Sequence, residues 1–193
     1  MHNGTYNKGK FYKKYWVDAV NATKGTGIFP ETLLAQAVVE SQQEGPDGNY
    51  YPGLSLNARK ANNYFGIKTS AQWKGDTINL PTSKDAKKVS VFRKYDSFYD
   101  SMKDYVNFLK TNPRYTTAGV FNATDYVTQI ISIAKAGYAE GAGYAELVTK
   151  VANSVKKYVK DIIVPIQSNS KILPLLVTGL IVASYFIVKK MQA

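Results

Sequence analysis

No cysteine occurs among the 193 residues. Disulfides and thiolate metal sites are therefore excluded. Histidine is nearly as scarce: His2 is the single copy, close to the N-terminal end of the sequence. Ser-His-Asp triads, Cys-His pairs and His-rich metal centres thus have no residues to build them. Acid–base chemistry is left to carboxylates, tyrosines and lysines, and no metal or cofactor is expected. Negative charge is also in short supply, with 14 acidic residues against 25 lysines and arginines and a formal net charge of +11. That balance favours anionic partners, among them nucleic acid, anionic lipid and bacterial wall polymers. Zinc-ligand spacing, an aromatic RNA-binding signature and a basic helix with heptads are all missing, so no nucleic-acid partner is expected. The first residues, MHNGTYNKGKFYKKYW, contain neither an apolar core nor a cleavage site and do not read as a secretory signal.

An apolar fraction of 45% suits a globular chain, and the length suits one domain with some extra sequence. That extra lies at the end. Ile172 to Val188 is an uncharged run of about 17 residues, near the lower limit for a membrane-spanning helix. Lys171 flanks it on one side and Lys189 and Lys190 on the other, with Tyr185 and Phe186 near the boundary. The sequence divides into a domain over 1–163, a polar linker over 164–171, and a transmembrane helix with a short basic tail over 172–190.

Within the domain, apolar residues spaced three and four apart predict a helix from Phe11 to Ala22. Pro30 and Glu31 mark the start of a second helix, whose buried face is Leu33, Leu34, Ala37 and Val38. Gly45 to Gly53 is rich in turn residues, and a short helix is expected around Ser55 to Ala61. Thr77 to Leu80 and Val89 to Phe92 read as the arms of a β-hairpin. Ser97, with Asp100 three residues on, opens a helix that Asn112-Pro113 stops. Two more helices are expected over about Ala123 to Lys135 and Tyr144 to Ile163. The expected class is α+β, a mainly helical domain with a small hairpin lobe.

Six strings in order carry a resemblance. They are the AQAVVES of Ala35 to Ser41, the LNARKANNYFGIK of Leu56 to Lys68, and Trp73-Lys74-Gly75. Phe92 to Ser97, the NPRY of Asn112 to Tyr115, and Ala136 to Ala139 followed by Tyr144-Ala145 complete the set. Together they resemble the glycoside hydrolase family 73 N-acetylglucosaminidases, peptidoglycan hydrolases of lysozyme-like fold. The likeness spans nearly all of Phe11 to Tyr158. It implies a cleft between the helices and the hairpin, with peptidoglycan glycan strands as substrate. Glu40 would be the catalytic acid, its proton retained by an apolar wall made of Tyr64, Phe65 and Trp73. A second acid is expected in the hairpin lobe, where Asp85 is the candidate and Asp76 stands behind it. Tyr138 is the remaining catalytic candidate, able to orient the substrate's own 2-acetamido group. The substrate-binding candidates are Asn63, Tyr64, Phe65, Trp73, Tyr115 and Tyr144, with Asn62 and Asn63 suited either to fixing a turn or to binding an N-acetyl group. Gly66 is expected to allow close backbone approach. The chain departs from the family at Gln42-Gln43-Glu44 and the insertion through Pro52, a loop expected to border the cleft.

Two alternatives share these features: a lytic transglycosylase on the same fold, and a non-catalytic, membrane-anchored wall-binding or structural virion protein. The expected setting is a membrane joined through Ile172 to Val188. The membrane of a bacteriophage particle, with other virion proteins as neighbours and host entry as the purpose, is preferred over a bacterial inner membrane.

Overall fold

The computed structural model describes residues 8–82, 88–139 and 141–162. Asp85 and the predicted linker and membrane helix lie outside the described residues. Among the described residues no helix is long and apolar enough to cross a membrane.

Seven α-helices and two small antiparallel ladders appear among the described residues. Helix α1 spans Lys8–Thr23, α2 Pro30–Ser41, α3 Leu56–Ala61, α4 Phe98–Thr111, α5 Pro113–Thr117, α6 Tyr126–Lys135 and α7 Tyr144–Val159. A 3-10 turn over Val120–Asn122 precedes α6. Strands β1 (Gln43–Glu44) and β2 (Tyr50–Tyr51) pair antiparallel within the turn-rich insertion. Strands β3 (Thr77–Pro81) and β4 (Val89–Arg93) form the expected hairpin, with Thr77 opposite Arg93 and Pro81 opposite Val89.

Helix α2 is the centre of the fold. Every residue from Thr32 to Val38 is buried, not the single face expected from its sequence. The reason is that α2 packs against α7, α1 and α6 at once, so the helix has no solvent side along most of its length. Helix α7 is amphipathic instead, burying Val148, Val151, Ala152, Val155 and Val159 at helical spacing. It ends earlier than the sequence suggests, at Val159.

Polar side chains finish the ends. The Ser97 hydroxyl accepts from the Asp100 N–H and donates to the Asp100 carboxylate, closing the capping box of α4. Gln129 on α6 is fully buried. Its amide donates to the carbonyls of Gly27 (2.7 Å) and Val120 (2.9 Å) and accepts from the Phe29 N–H (2.9 Å) at the entry to α2. Truncation strands three backbone groups in the core, so Gln129→Ala is expected to lower unfolding stability by about 3 kcal/mol, measured by urea denaturation.

Candidate active site

The hairpin lobe is tied to the helices by backbone and by one ion pair. Asn63 is wholly buried. Its amide nitrogen donates to the carbonyls of Ile67 (2.8 Å) and Arg93 (2.9 Å), and its oxygen accepts from the Ile67 N–H (3.0 Å). Asn62 takes the left-handed conformation (φ 50°) and donates to the Tyr95 and Asp96 carbonyls. Both asparagines therefore shape the turn after α3. Asn63, expected among the substrate-binding residues, instead spends both amide hydrogens on backbone in the interior and does not line the cavity described below. On β4, Arg93 reaches across to α4, where its guanidinium donates to both oxygens of Asp104 (2.9 and 2.8 Å). Tyr95 also donates to Asp104, at 2.6 Å.

Between these parts lies an open cavity of about 400 Å³. Glu40, Phe65, Ile67, Tyr115 and Tyr138 are among the residues lining it, together with the cations Lys68, Arg93 and Arg114. Glu40 is the only acidic side chain among the described residues that line it. It is the penultimate residue of α2. Burial raises its pKa, opposed by a hydrogen bond from Tyr144. The negative end of the helix macrodipole acts in the same direction as burial. A half-buried glutamate at this position is therefore suited to holding a proton.

The hydroxyl of Tyr144, the first residue of α7, donates to Glu40 Oε1 at 2.8 Å. Gln36, one helical turn before Glu40, donates through Nε2 to the Tyr144 hydroxyl at 3.0 Å. The Tyr105 hydroxyl in turn donates to Gln36 Oε1. Phe65 stacks on the Tyr105 ring at 4.2 Å, so the cavity wall and this polar chain share one packed unit.

Tyr138 reaches the cavity by a helix-ending motif. Gly137 has φ 76°, its N–H donates to the Ala134 carbonyl, and the Tyr138 N–H reaches the Ile133 carbonyl (3.4 Å). This is the Schellman pattern, which needs a left-handed residue that glycine supplies without strain. The Tyr138 hydroxyl donates to the Phe65 carbonyl at 3.3 Å, and its ring stacks on Tyr144. Burial holds its phenol well above the ordinary range, so it stays protonated at neutral pH.

Two expected wall residues stand elsewhere. Tyr64 stacks on Phe98 at 3.7 Å and touches Phe11, in the aromatic cluster that joins α1 to α4. Trp73 packs over Arg93 at 4.8 Å and edge-on to Tyr95, and it does not line the cavity. Of the three aromatics expected around Glu40, Phe65 alone lines this cavity, because Tyr64 is drawn into the α1–α4 aromatic cluster and Trp73 onto Arg93 and Tyr95. Gly66 differs too: its φ is 62°, and an added Cβ would meet only Asn57 Nδ2 at 3.9 Å. Left-handed backbone, not close packing within the chain, selects glycine there. None of the 42–52 segment lines the cavity. Instead Ser41 secures that segment, its hydroxyl accepting from the Gly53 N–H and its carbonyl from the Ser55 N–H.

Comparison with known proteins bears on this site. Residues 16–157 match the Glucosaminidase family, described as mannosyl-glycoprotein endo-beta-N-acetylglucosaminidase. The chain belongs to the glucosaminidase family. It is 35% identical over 144 residues to the peptidoglycan hydrolase FlgJ of Vibrio parahaemolyticus, covering 72% of this chain and 44% of that protein. The exo-glucosaminidase LytG of Bacillus subtilis is 29% identical over 142 residues, covering 69% and 45%. The chain thus spans less than half the length of these curated relatives. The glycoside hydrolase domain of Salmonella typhimurium FlgJ superposes with a TM-score of 0.60 at 29% identity, covering 80% of this chain and 91% of that one. A peptidoglycan hydrolase from Sphingomonas sp. A1 gives 0.59 at 28%, covering 79% and 93%. This glucosaminidase therefore has the mixed helical and small-sheet fold of the FlgJ glycoside hydrolase domain.

Gln36 and Tyr105 are part of the site that sequence reading did not single out. Gln36 carried a signal: it is four residues before Glu40 on one helix, a spacing that stacks side chains on one face. Tyr105 carried none, since its helical spacing reads as core.

Proposed function

We propose that the chain is a peptidoglycan hydrolase that cleaves the β-1,4 bond after N-acetylglucosamine, with Glu40 as general acid. The carrying observation is a single carboxyl at a helix end, pushed toward its neutral form by burial and opening on a basic cavity. The Glu40 proton passes to the bridging oxygen, and the C1–O electron pair follows it onto that oxygen. The leaving sugar departs with a neutral hydroxyl, C1 becomes oxocarbenium-like, and Glu40 is left as a carboxylate. Water then forms the new C1–O bond: its proton passes to Asp85, with Glu40 reprotonated from solvent, or, where the substrate's 2-acetamido group has first closed on C1, to the Glu40 carboxylate as that C1–O(acetamido) bond breaks. The peptidoglycan activity in the names of FlgJ and the Sphingomonas protein supports this substrate.

One observation favours a second reading. Glu40 stands without a carboxylate partner among the described residues that line the cavity, and a lytic transglycosylase works with one glutamate. Mass spectrometry of digested peptidoglycan separates the two. The expected products carry reducing N-acetylglucosamine ends; anhydromuramyl ends would reject the glucosaminidase assignment.

The setting belongs to the same proposal. The uncharged run from Ile172 to Val188 with its flanking lysines supports a single-pass membrane anchor. On this reading the anchor holds the hydrolase on the membrane of a bacteriophage particle, where wall cleavage serves host entry. A bacterial inner membrane is the alternative.

A further inference from the structure

The polar chain behind Glu40 has a direction. Gln36 and Tyr105 are almost fully enclosed, at 1% and 0% exposure. The Tyr105 O–H donates to Gln36 Oε1, which turns Nε2 toward the Tyr144 oxygen. With that side of the oxygen occupied by a donor, the Tyr144 proton points to Glu40 Oε1. Exchanging the amide's oxygen and nitrogen would leave the Tyr105 hydroxyl without this acceptor and draw the Tyr144 proton away from Glu40. An unpartnered hydroxyl at the fully enclosed Tyr105 is costly, so the amide is held in the orientation described.

We infer that Gln36 is a positioning residue: locked by Tyr105, it aims the Tyr144 hydroxyl at Glu40 Oε1, so that Glu40 carries its transferable proton on Oε2. This rests on the reading of Glu40 as general acid. Its consequence is catalytic. As the proton leaves Oε2, negative charge grows on the carboxylate, and a hydrogen bond already aimed at Oε1 strengthens in the transition state. Gln36 is neutral and cannot change charge along the way, so the aim holds at every pH at which the fold is intact.

Other titratable and charged groups share the cavity with Glu40. Tyr138 from the turn after α6 and Tyr115 and Arg114 from α5 line the same cavity, as do Arg93 from β4 and Lys68 from the segment after α3. Arg93 is held by Asp104. None of these is altered in the variants below, so their influence on Glu40 is common to all of them.

The test is the pH profile of kcat/KM for the 193-residue chain on purified peptidoglycan. A general acid must be protonated, so activity falls as pH rises through its pKa. The Tyr144 bond favours the carboxylate, so its loss lifts that pKa and moves the alkaline limb to higher pH. Tyr144→Phe is expected to move it by about one pH unit and to lower plateau kcat about tenfold. Gln36→Met is expected to move it in the same direction by less, because the freed Tyr144 hydroxyl can then accept from protonated Glu40. The double variant Gln36→Met/Tyr105→Phe removes the hydroxyl that the single change strands in the core, and should shift the limb as Gln36→Met does. Glu40→Gln separates the two levels of inference: if it remains active, the general-acid reading fails. If Glu40→Gln is inactive but Tyr144→Phe leaves the limb in place, the aimed hydrogen bond is refuted. If Tyr144→Phe shifts it and neither Gln36 variant does, Gln36 is structural only.

Discussion

Glu40→Gln is expected to reduce peptidoglycan hydrolysis about a thousandfold, within the range by which a positioned general acid accelerates such reactions. Zymography and turbidity clearing by the 193-residue chain measure it. The same substitution is expected to stabilise the folded protein at neutral pH. Burial raises the folded-state pKa of Glu40, so between its unfolded and folded pKa values the native state binds more protons than the unfolded one. Stability then falls as pH rises through that window, and above it the cost of the buried charge is complete. Glutamine can accept the Tyr144 bond without that cost. Thermal unfolding should therefore show a higher Tm for Glu40→Gln at pH 7, by a few degrees, with the gain vanishing below the unfolded carboxylate range of about pH 4. A variant that is inactive yet no more stable at neutral pH would mean that Glu40 is not held against its ionised form.

The second large effect is on stability alone. Asp104 accepts two hydrogen bonds from Arg93 and one from Tyr95, with the Arg93 and Asp104 side chains only 11% and 12% exposed. Asp104→Ala leaves a nearly buried guanidinium without its counter-charge. The expected loss is about 3–5 kcal/mol, read by chemical denaturation. Most of that loss is the cost of the stranded charge, so Arg93→Met/Asp104→Leu should be far milder than the single change. Because this pair fastens the hairpin lobe to α4, the double variant is expected to show a raised KM for peptidoglycan even where it is well folded. An Asp104→Ala protein as stable as the parent would show that the pair contributes nothing to the join.

Local signals placed most of the helices and both arms of the hairpin. Pro30 and Glu31 open α2, Ser97 with Asp100 caps α4, and the alternation around Ile78, Leu80 and Phe92 marks the hairpin, because each depends on neighbours in sequence. The insertion was legible as turn-rich, but not as a ladder. Strands of two residues each, Gln43–Glu44 and Tyr50–Tyr51, are too short to show a period.

The site was legible unevenly. Glu40 stood out through its motif, and Gly137 before Tyr138 is a helix-end signal that a chain reading can use. Tyr64, Trp73 and Asn63 are the types of residue that line sugar clefts, yet Tyr64 packs on Phe98, Trp73 on Arg93, and Asn63 spends its amide on backbone. Residue type states what a side chain can do; the packing of segments distant in sequence decides what it meets.

By itself, then, the amino-acid order determined the class of chemistry. Without cysteine, and with its one histidine at position 2, acid–base work fell to carboxylates, tyrosines and lysines, and the family resemblance of the Glu-Ser motif pointed to Glu40 as the proposed acid. Only the tertiary structure decided the surroundings of that carboxyl. Tyr144 stands 104 residues from Glu40, and Tyr105 stands 69 from Gln36. Helices α2, α4 and α7 must pack before these groups form one directed chain, because hydrogen-bond direction and desolvation belong to the assembled interior and not to any stretch of sequence.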